Sequence, residues 1–266
     1  MTTTTLGGLI KDYRLKKRLS QIDVSLKLGW KDTSRISKIE QGRVGKPNRD
    51  TAERIMKALE LTEQERGNFL LGGGYLPTEE EIKDIISLVQ RRIDEWPYPA
   101  YLTDFSYRWL YINNATAIAG NLSPQQKRWI EETKPHFLRI AFLPKDQFSA
   151  NIMKGEDENS LTTFKIGQIA MFKNENKKYQ SESWYKALIK DLMQYEEFRR
   201  LWTKVDSKIG YKTLFDYEYI TITDRYHGKN RTLKFHITGS RVIKDIRFQV
   251  VLYFPADKAT EQMFNK

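Results

Sequence analysis

The chain contains no cysteine. That excludes a disulfide framework, a thiolate zinc site and a cysteine nucleophile. Histidine is almost as scarce: His136, His227 and His236 are scattered and make no metal-binding spacing. No Walker loop and no G-x-S-x-G occurs, and Gly72–Gly74 resembles a phosphate loop only by its glycine count, since a flanking strand and a Lys-Ser/Thr pair are missing. The acidic run Glu156-Asp157-Glu158 reads as a solvated loop rather than a metal site. No catalytic residue, metal ligand or cofactor is therefore assigned, and an enzyme is not expected. Apolar runs fall well short of the roughly 20 residues that a membrane span needs. The opening MTTTTLGG lacks a charged stretch followed by an apolar one, so no signal peptide is expected. A cytoplasmic location without membrane contact fits these absences. Internal repeats and low-complexity tracts are also missing.

What is present is charge and aromatic surface. A length of 266 residues suggests about two domains, and 39% hydrophobic content is enough for folded cores. Charged residues make up 30% of the chain and the mean hydropathy is −0.63, as in a soluble protein. The formal net charge is +11. A basic excess favours polyanionic partners or simply solubility. Residues 1–72 hold 15 of the 45 Lys/Arg but only 9 of the 34 Asp/Glu, so the first quarter of the chain is the more basic part. Five of the six tryptophans, by contrast, lie after residue 77.

Ser20–Gly42 reads as two short helices joined by a tight turn. Ser20 suits an N-cap, because its hydroxyl can accept a free backbone N–H. Ile22, Val24, Leu26 and Leu28 supply apolar surface, and Gly29 suits a left-handed C-terminal cap. Asp32 or Thr33 can start the second helix, with Ile36 and Ile39 on one face and Gly42 just past its end. This is the pattern of a helix-turn-helix, whose second helix enters the major groove of DNA. Before it, Leu6, Leu9, Ile10, Tyr13 and Leu15 form one stripe of a first helix. After it, Asn48 caps a helix running to about Leu59, and Thr62 with Glu65 makes a capping box for a fifth helix ending near Leu71. Gly72-Gly73-Gly74 is then expected to break the chain and leave its neighbours free to reorient.

L-S-Q at 19–21, Gly29, S-R-I-S-K-I-E at 34–40 and Q-G at 41–42 resemble the lambda-repressor-like, Xre-type DNA-binding family. The turn is one residue longer within Gly29–Asp32 than is usual there, a shift of roughly 1.5 Å along the reading helix. The resemblance implies a partly buried ion pair between Arg14 and Glu40. It also places Thr33, Ser34 and Lys38 at base edges, with Lys31 and Arg35 nearby, and Gln21, Arg43, Lys46 and Arg49 at phosphates. Such domains usually bind two-fold related half-sites, so a homodimer on a double-stranded operator is expected.

Beyond the glycines, Ile82, Ile85, Ile86, Val89 and Ile93 mark a sixth helix, serving as a core helix or as a dimer or coupling helix. Ala100–Thr103 and Trp109–Asn113 read as a β-hairpin, and Asn114–Gly120 and Ser123–Thr133 as helices. His136–Phe142 is apolar, Leu161–Phe172 leans towards helix, and Glu182–Gln194 and Tyr195–Lys204 are helical. Strands follow at Lys212–Thr223, Thr232–Ser240 and Phe248–Phe254, with His227–Asn230 as a turn. P-x-Y-x-x-D-x-x-x-x-W-L-Y-I-N-N at 99–114 and E-F-R-R-L-W at 197–202 resemble the MmyB-like ligand-binding domain. That family implies a PAS-like module, a small antiparallel sheet wrapped by helices around an apolar pocket for a fatty-acid-like molecule. Its frequent His-Pro pair is replaced here by Tyr211–Phe215, so no ligand role transfers to that segment.

The expected fold is an α N-terminal helix-turn-helix domain of five helices (1–74) followed by an α+β, PAS-like C-terminal domain with an antiparallel sheet (75–266). Trp109, Tyr111, Phe142, Phe172, Trp184, Phe198 and Trp202 are candidates for a pocket lining or for ordinary core, and Asn113 for an orienting polar group or a strand-end turn former. The expected function is a DNA-binding transcription regulator responsive to a lipophilic small molecule. A DNA-targeted, nuclease-like enzyme and a constitutive repressor whose second domain only dimerises are the alternatives.

Overall fold

The computed structural model describes residues 5–143, 158–205, 220–226 and 229–264. Its contacts divide the chain into two units. One is Met1–Thr78 together with Arg241–Arg247; the other is Glu79–Ser240 with Phe248–Lys266.

The first unit is helical: α1 (Leu6–Lys16), α2 (Gln21–Lys27), α3 (Ser34–Glu40), α4 (Arg49–Ala58) and α5 (Glu63–Gly72). Local capping chemistry sets most of these starts. Thr5, Ser20, Asn48 and Thr62 each accept a backbone N–H of the helix that they precede, with full capping boxes at Ser20/Asp23 and Thr62/Glu65. One core joins the helices, built on Ile10, Tyr13, Val24, Leu28, Ile36, Ile39, Ile55, Met56, Leu59, Phe69 and Tyr75. Gly7 lets α1 approach α3 closely: a Cβ there would stand 2.3 Å from the carbonyl oxygen of Ile39.

The structure departs from that reading or adds to it at three points in this unit. Leu15, Ile22 and Leu26 are exposed rather than packed, because one side of a short helix suffices to cover so small a core. The glycines at 72–74 are not a loose break. Gly72 ends α5, Gly73 is its C-cap, and Gly74 takes a left-handed φ of 63°. The Tyr75 ring lies on Gly73, where any Cβ would be 2.5 Å from it, so the missing side chain makes room for packing. The tip of a later hairpin also belongs here. Arg247 is buried, pairs with Asp245 at 2.6 Å, and donates to the carbonyl of Tyr75 at 3.2 Å.

The second unit is α+β. It contains α6 (Glu79–Asp94), β1 (Ala100–Asp104), β2 (Trp109–Ile112), α7 (Asn114–Ala119), α8 (Pro124–Thr133), α9 (Phe137–Phe142), α10 (Glu158–Glu175), α11 (Ser183–Leu192) and α12 (Glu196–Lys204). Then come β3 (Ile220–Tyr226), β4 (Lys229–Val242), β5 (Asp245–Pro255) and α13 (Lys258–Phe264). The strands form one five-stranded antiparallel sheet in the order β2-β1-β5-β4-β3. β1 pairs with β2 through Tyr101–Ile112 and with β5 through Leu102–Val250, while β3 pairs with β4 through Ile222–Leu233.

The stripe of α6 is core: Ile82, Ile85, Val89 and Ile93 are buried and the helix packs on β1 and β2. α10 begins at Glu158, inside a stretch read as loop. Lys229 and Asn230, read as turn, are strand residues opposite Tyr226 and Arg225. The readings of Glu156–Asp157, Lys212–Tyr219 and His227–Gly228 lie outside the described residues.

Candidate nucleic-acid interface

Gly29 closes α2 with φ of 71°, and the N–H of Trp30 returns to the carbonyl of Ser25 at 2.9 Å. The longer turn is thereby absorbed, with Trp30 half-buried against the core. Thr33 precedes α3 without donating or accepting a capping bond. Asp32 supplies the cap instead: its Oδ1 accepts from the N–H of Ser34 at 2.8 Å. Hydrogen bonding from Ser34, its backbone N–H foremost, holds the Asp32 carboxyl below its usual range. Ile36, Ile39 and Glu40 turn inward while Ser34, Arg35, Lys38 and Gln41 face solvent. Gly42, with φ of 67°, ends the helix.

α3 is anchored from behind. Arg14 donates from Nε to Glu40 Oε1 at 2.6 Å and from Nη2 to Oε2 at 3.0 Å. Its remaining nitrogen Nη1 reaches the carbonyl of Leu19 at 2.9 Å. Arg14 and Glu40 are each 7% exposed, so this is the buried pair that the resemblance implied. The hydrogen bond to Glu40 raises the Arg14 pKa further. A bidentate, charge-assisted pair of this kind fixes both angle and register.

The structure places the other assigned residues unequally. Lys31, Arg35, Lys38 and Arg43 are exposed, and Arg35 stacks over the Trp30 ring at 4.5 Å. Thr33 is half-buried. Gln21, assigned to phosphate, donates to Glu40 Oε2 at 2.9 Å and so belongs to the anchor. Lys46 donates to the carbonyl of Gly73 at 2.9 Å and lies 4.2 Å over the Tyr75 ring. Arg49 donates to Glu53 at 2.8 Å and to the carbonyl of Leu76. Those two cations tie the α3–α4 connection and the start of α4 to the end of α5 and the residues after it, which the sequence did not reveal because the contacts span 27 residues.

In the second unit, five of the eight assigned pocket residues share one cluster. Phe142 meets Phe198 edge-on at 5.0 Å, Phe198 stacks on Trp202 at 5.2 Å, and Phe172 and Trp184 flank Tyr185. Trp109 belongs to a different cluster, with Tyr101, Ile112, Ile130 and Val251. Tyr111 points its hydroxyl at Asp94, 2.8 Å away; burial and that carboxylate push its pKa up to about 12. Asn113 is fully engaged. Its amide nitrogen donates to the carbonyls of Ile93, Trp96 and Tyr98, and its oxygen accepts from Ala100, from the Thr116 N–H and from the Thr116 hydroxyl. It joins the end of α6 to β1 and caps α7, which leaves it no capacity to orient a ligand. Trp109, Tyr111 and Asn113 therefore do not join the other five around one space.

Among the described residues, no three His, Asp or Glu side chains converge on a point suited to a metal ion. No described helix is long and apolar enough to cross a membrane.

Residues 5–69 match a family model described as a helix-turn-helix domain. That span covers α1 to most of α5 and includes the whole exposed face of α3. No curated protein matches the chain. The match and the geometry together support a DNA-binding regulator of transcription.

Proposed function

We propose that this protein is an Xre-type regulator that binds a two-fold operator as a homodimer and responds to a lipophilic, fatty-acid-like molecule held in its second, PAS-like and MmyB-like unit. The proposal includes a cytoplasmic protein without enzymatic activity. The observation that carries the DNA half is the posture of α3. It is short, capped, braced by the buried Arg14–Glu40 pair, and lined on its free side by Ser34, Arg35 and Lys38. A helix so presented fits the major groove, and nearby cations neutralise phosphates.

The ligand half is supported by composition and packing. A small antiparallel sheet adjoins a helical segment whose interior is dominated by rings, namely Phe142, Phe172, Tyr185, Phe198 and Trp202. Sensor cavities are built from such apolar walls with few polar groups. A ligand acts only through its different affinity for two arrangements of the protein. The test is fluorescence anisotropy of the full chain on a duplex selected from its own upstream DNA, titrated with a saturated C14–C18 fatty acid series. A shift in DNA affinity that saturates with the acid is expected. Unchanged DNA affinity at saturating acid removes the sensing claim and leaves a repressor that does not respond to lipid. Sedimentation on the same duplex should give two chains per operator.

A further inference from the structure

We infer that Arg35, held in place by Trp30, is the specificity-determining side chain of α3, and that each half-site contains a guanine that it reads. The inference rests on the DNA-binding reading above and names what that face recognises. Arg35 is the second residue of α3, in the turn that enters the groove first. Its guanidinium carbon lies 4.5 Å from the centroid of Trp30. A guanidinium held over an indole face is restrained by a cation–π contact that uses none of its N–H donors. The ring is held by packing on the core, and the backbone N–H of Trp30 bonds the carbonyl of Ser25, which fixes the chain that carries it. The fork therefore has less freedom to lose on binding than an unsupported arginine.

The neighbouring side chains are poorer readers. The Ser34 hydroxyl is both donor and acceptor and can pair with more than one base, and Thr33 is half-buried. Lys38 is exposed but is a point charge with rotatable donors, which discriminates weakly among acceptors. A bidentate arginine matches O6 and N7 of guanine, the commonest specific contact in the major groove. Phosphate would also accept two hydrogen bonds. However, the carboxylate of Asp32 already occupies the start of α3 and bonds the N–H of Ser34. A phosphate there would meet an anion and a used donor, so the first turn is better placed over base edges than against the backbone.

The experiment is selection from a randomised duplex library with the full chain, followed by titration of the selected duplex and of its single-base variants. For the wild type, one G·C pair per half-site should be required, its replacement by A·T costing roughly ten- to a hundredfold. Arg35→Lys keeps the charge but should lose most of that discrimination at that pair alone. Trp30→Phe keeps an apolar ring in the turn and should give an intermediate loss at the same pair. If Arg35→Lys selects the unchanged motif, and the neutral Arg35→Gln weakens all sequences evenly with the salt slope reduced by about 0.9, Arg35 is a phosphate contact and the inference is overturned. If Arg35→Lys relaxes the pair but Trp30→Phe does not, the positioning role of Trp30 is overturned. A wild-type protein that enriches no motif at all removes the DNA-reading function itself, a result distinct from either.

Discussion

Glu40 receives three hydrogen bonds in the interior, two from Arg14 and one from Gln21. Desolvating two charges is costly, and removing one partner leaves the other without compensation. Glu40→Gln should therefore destabilise the helix-turn-helix unit by about 3 kcal/mol in urea denaturation, whereas replacing both partners together, Arg14→Met with Glu40→Leu, should cost markedly less. His136 offers a second test in a separate unit. Its Nδ1 accepts from the N–H of Leu138 at 3.0 Å, and its Nε2 is buried without a hydrogen-bond partner. Burial lowers its pKa from 6.5 to about 3. The unfolded chain takes up a proton below about pH 6.5 while the folded chain does not, so this residue's contribution is complete above that pH and is lost as pH falls towards 3. Stability should decline by up to about 1.4 kcal/mol per pH unit in that window. His136→Asn retains an acceptor for the N–H of Leu138 and should flatten the decline between about pH 6 and 5.

Among elements, the contact of α1 with α3 decides how firmly the reading helix is seated. A methyl group at Gly7 would collide with backbone oxygens of Ile39 and Glu40, at 2.3 and 2.8 Å, and backbone cannot move aside as a flexible side chain can. Gly7→Ala should cost about 2–3 kcal/mol of unfolding free energy and weaken DNA binding with it. Gly45→Ala, with open space at its Cβ, should stay within about 0.5 kcal/mol. Helix starts were legible because caps are local: Ser20, Asn48 and Thr62 each act within three residues of themselves. The helix-turn-helix was legible for the same reason, as spacing and turn glycines lie within 23 residues of one another. The width of the buried face was not. Periodicity marks Ile22 and Leu26 as apolar, but how far the core extends round α2 depends on partners that are distant in sequence. Gly72–Gly74 misled likewise, because a glycine run looks alike whether it frees the chain or admits the ring of Tyr75.

Across the whole molecule, what escaped the sequence is whatever joins residues far apart. Arg247 binds the carbonyl of Tyr75 across 172 positions, so the tip between β4 and β5 completes a unit otherwise built from residues 1–78. The aromatic excess after residue 77 located a core correctly but could not apportion its members. Five rings gather in one cluster, Trp109 joins another, and Tyr111 turns to Asp94. The basic excess of residues 1–72 falls on the unit that presents α3, with Lys31, Arg35, Lys38 and Arg43 exposed around it. The most direct measurement is anisotropy of the full chain on a selected duplex as a function of salt, for the wild type and for Lys38→Glu. We predict wild-type binding that weakens linearly in log–log form, with a slope of about −0.9 for each phosphate neutralised. Lys38→Glu should abolish binding while leaving the thermal unfolding midpoint unchanged. Binding that ignores salt, or a Lys38→Glu protein that binds as the wild type does, would contradict a regulator that reads DNA with α3.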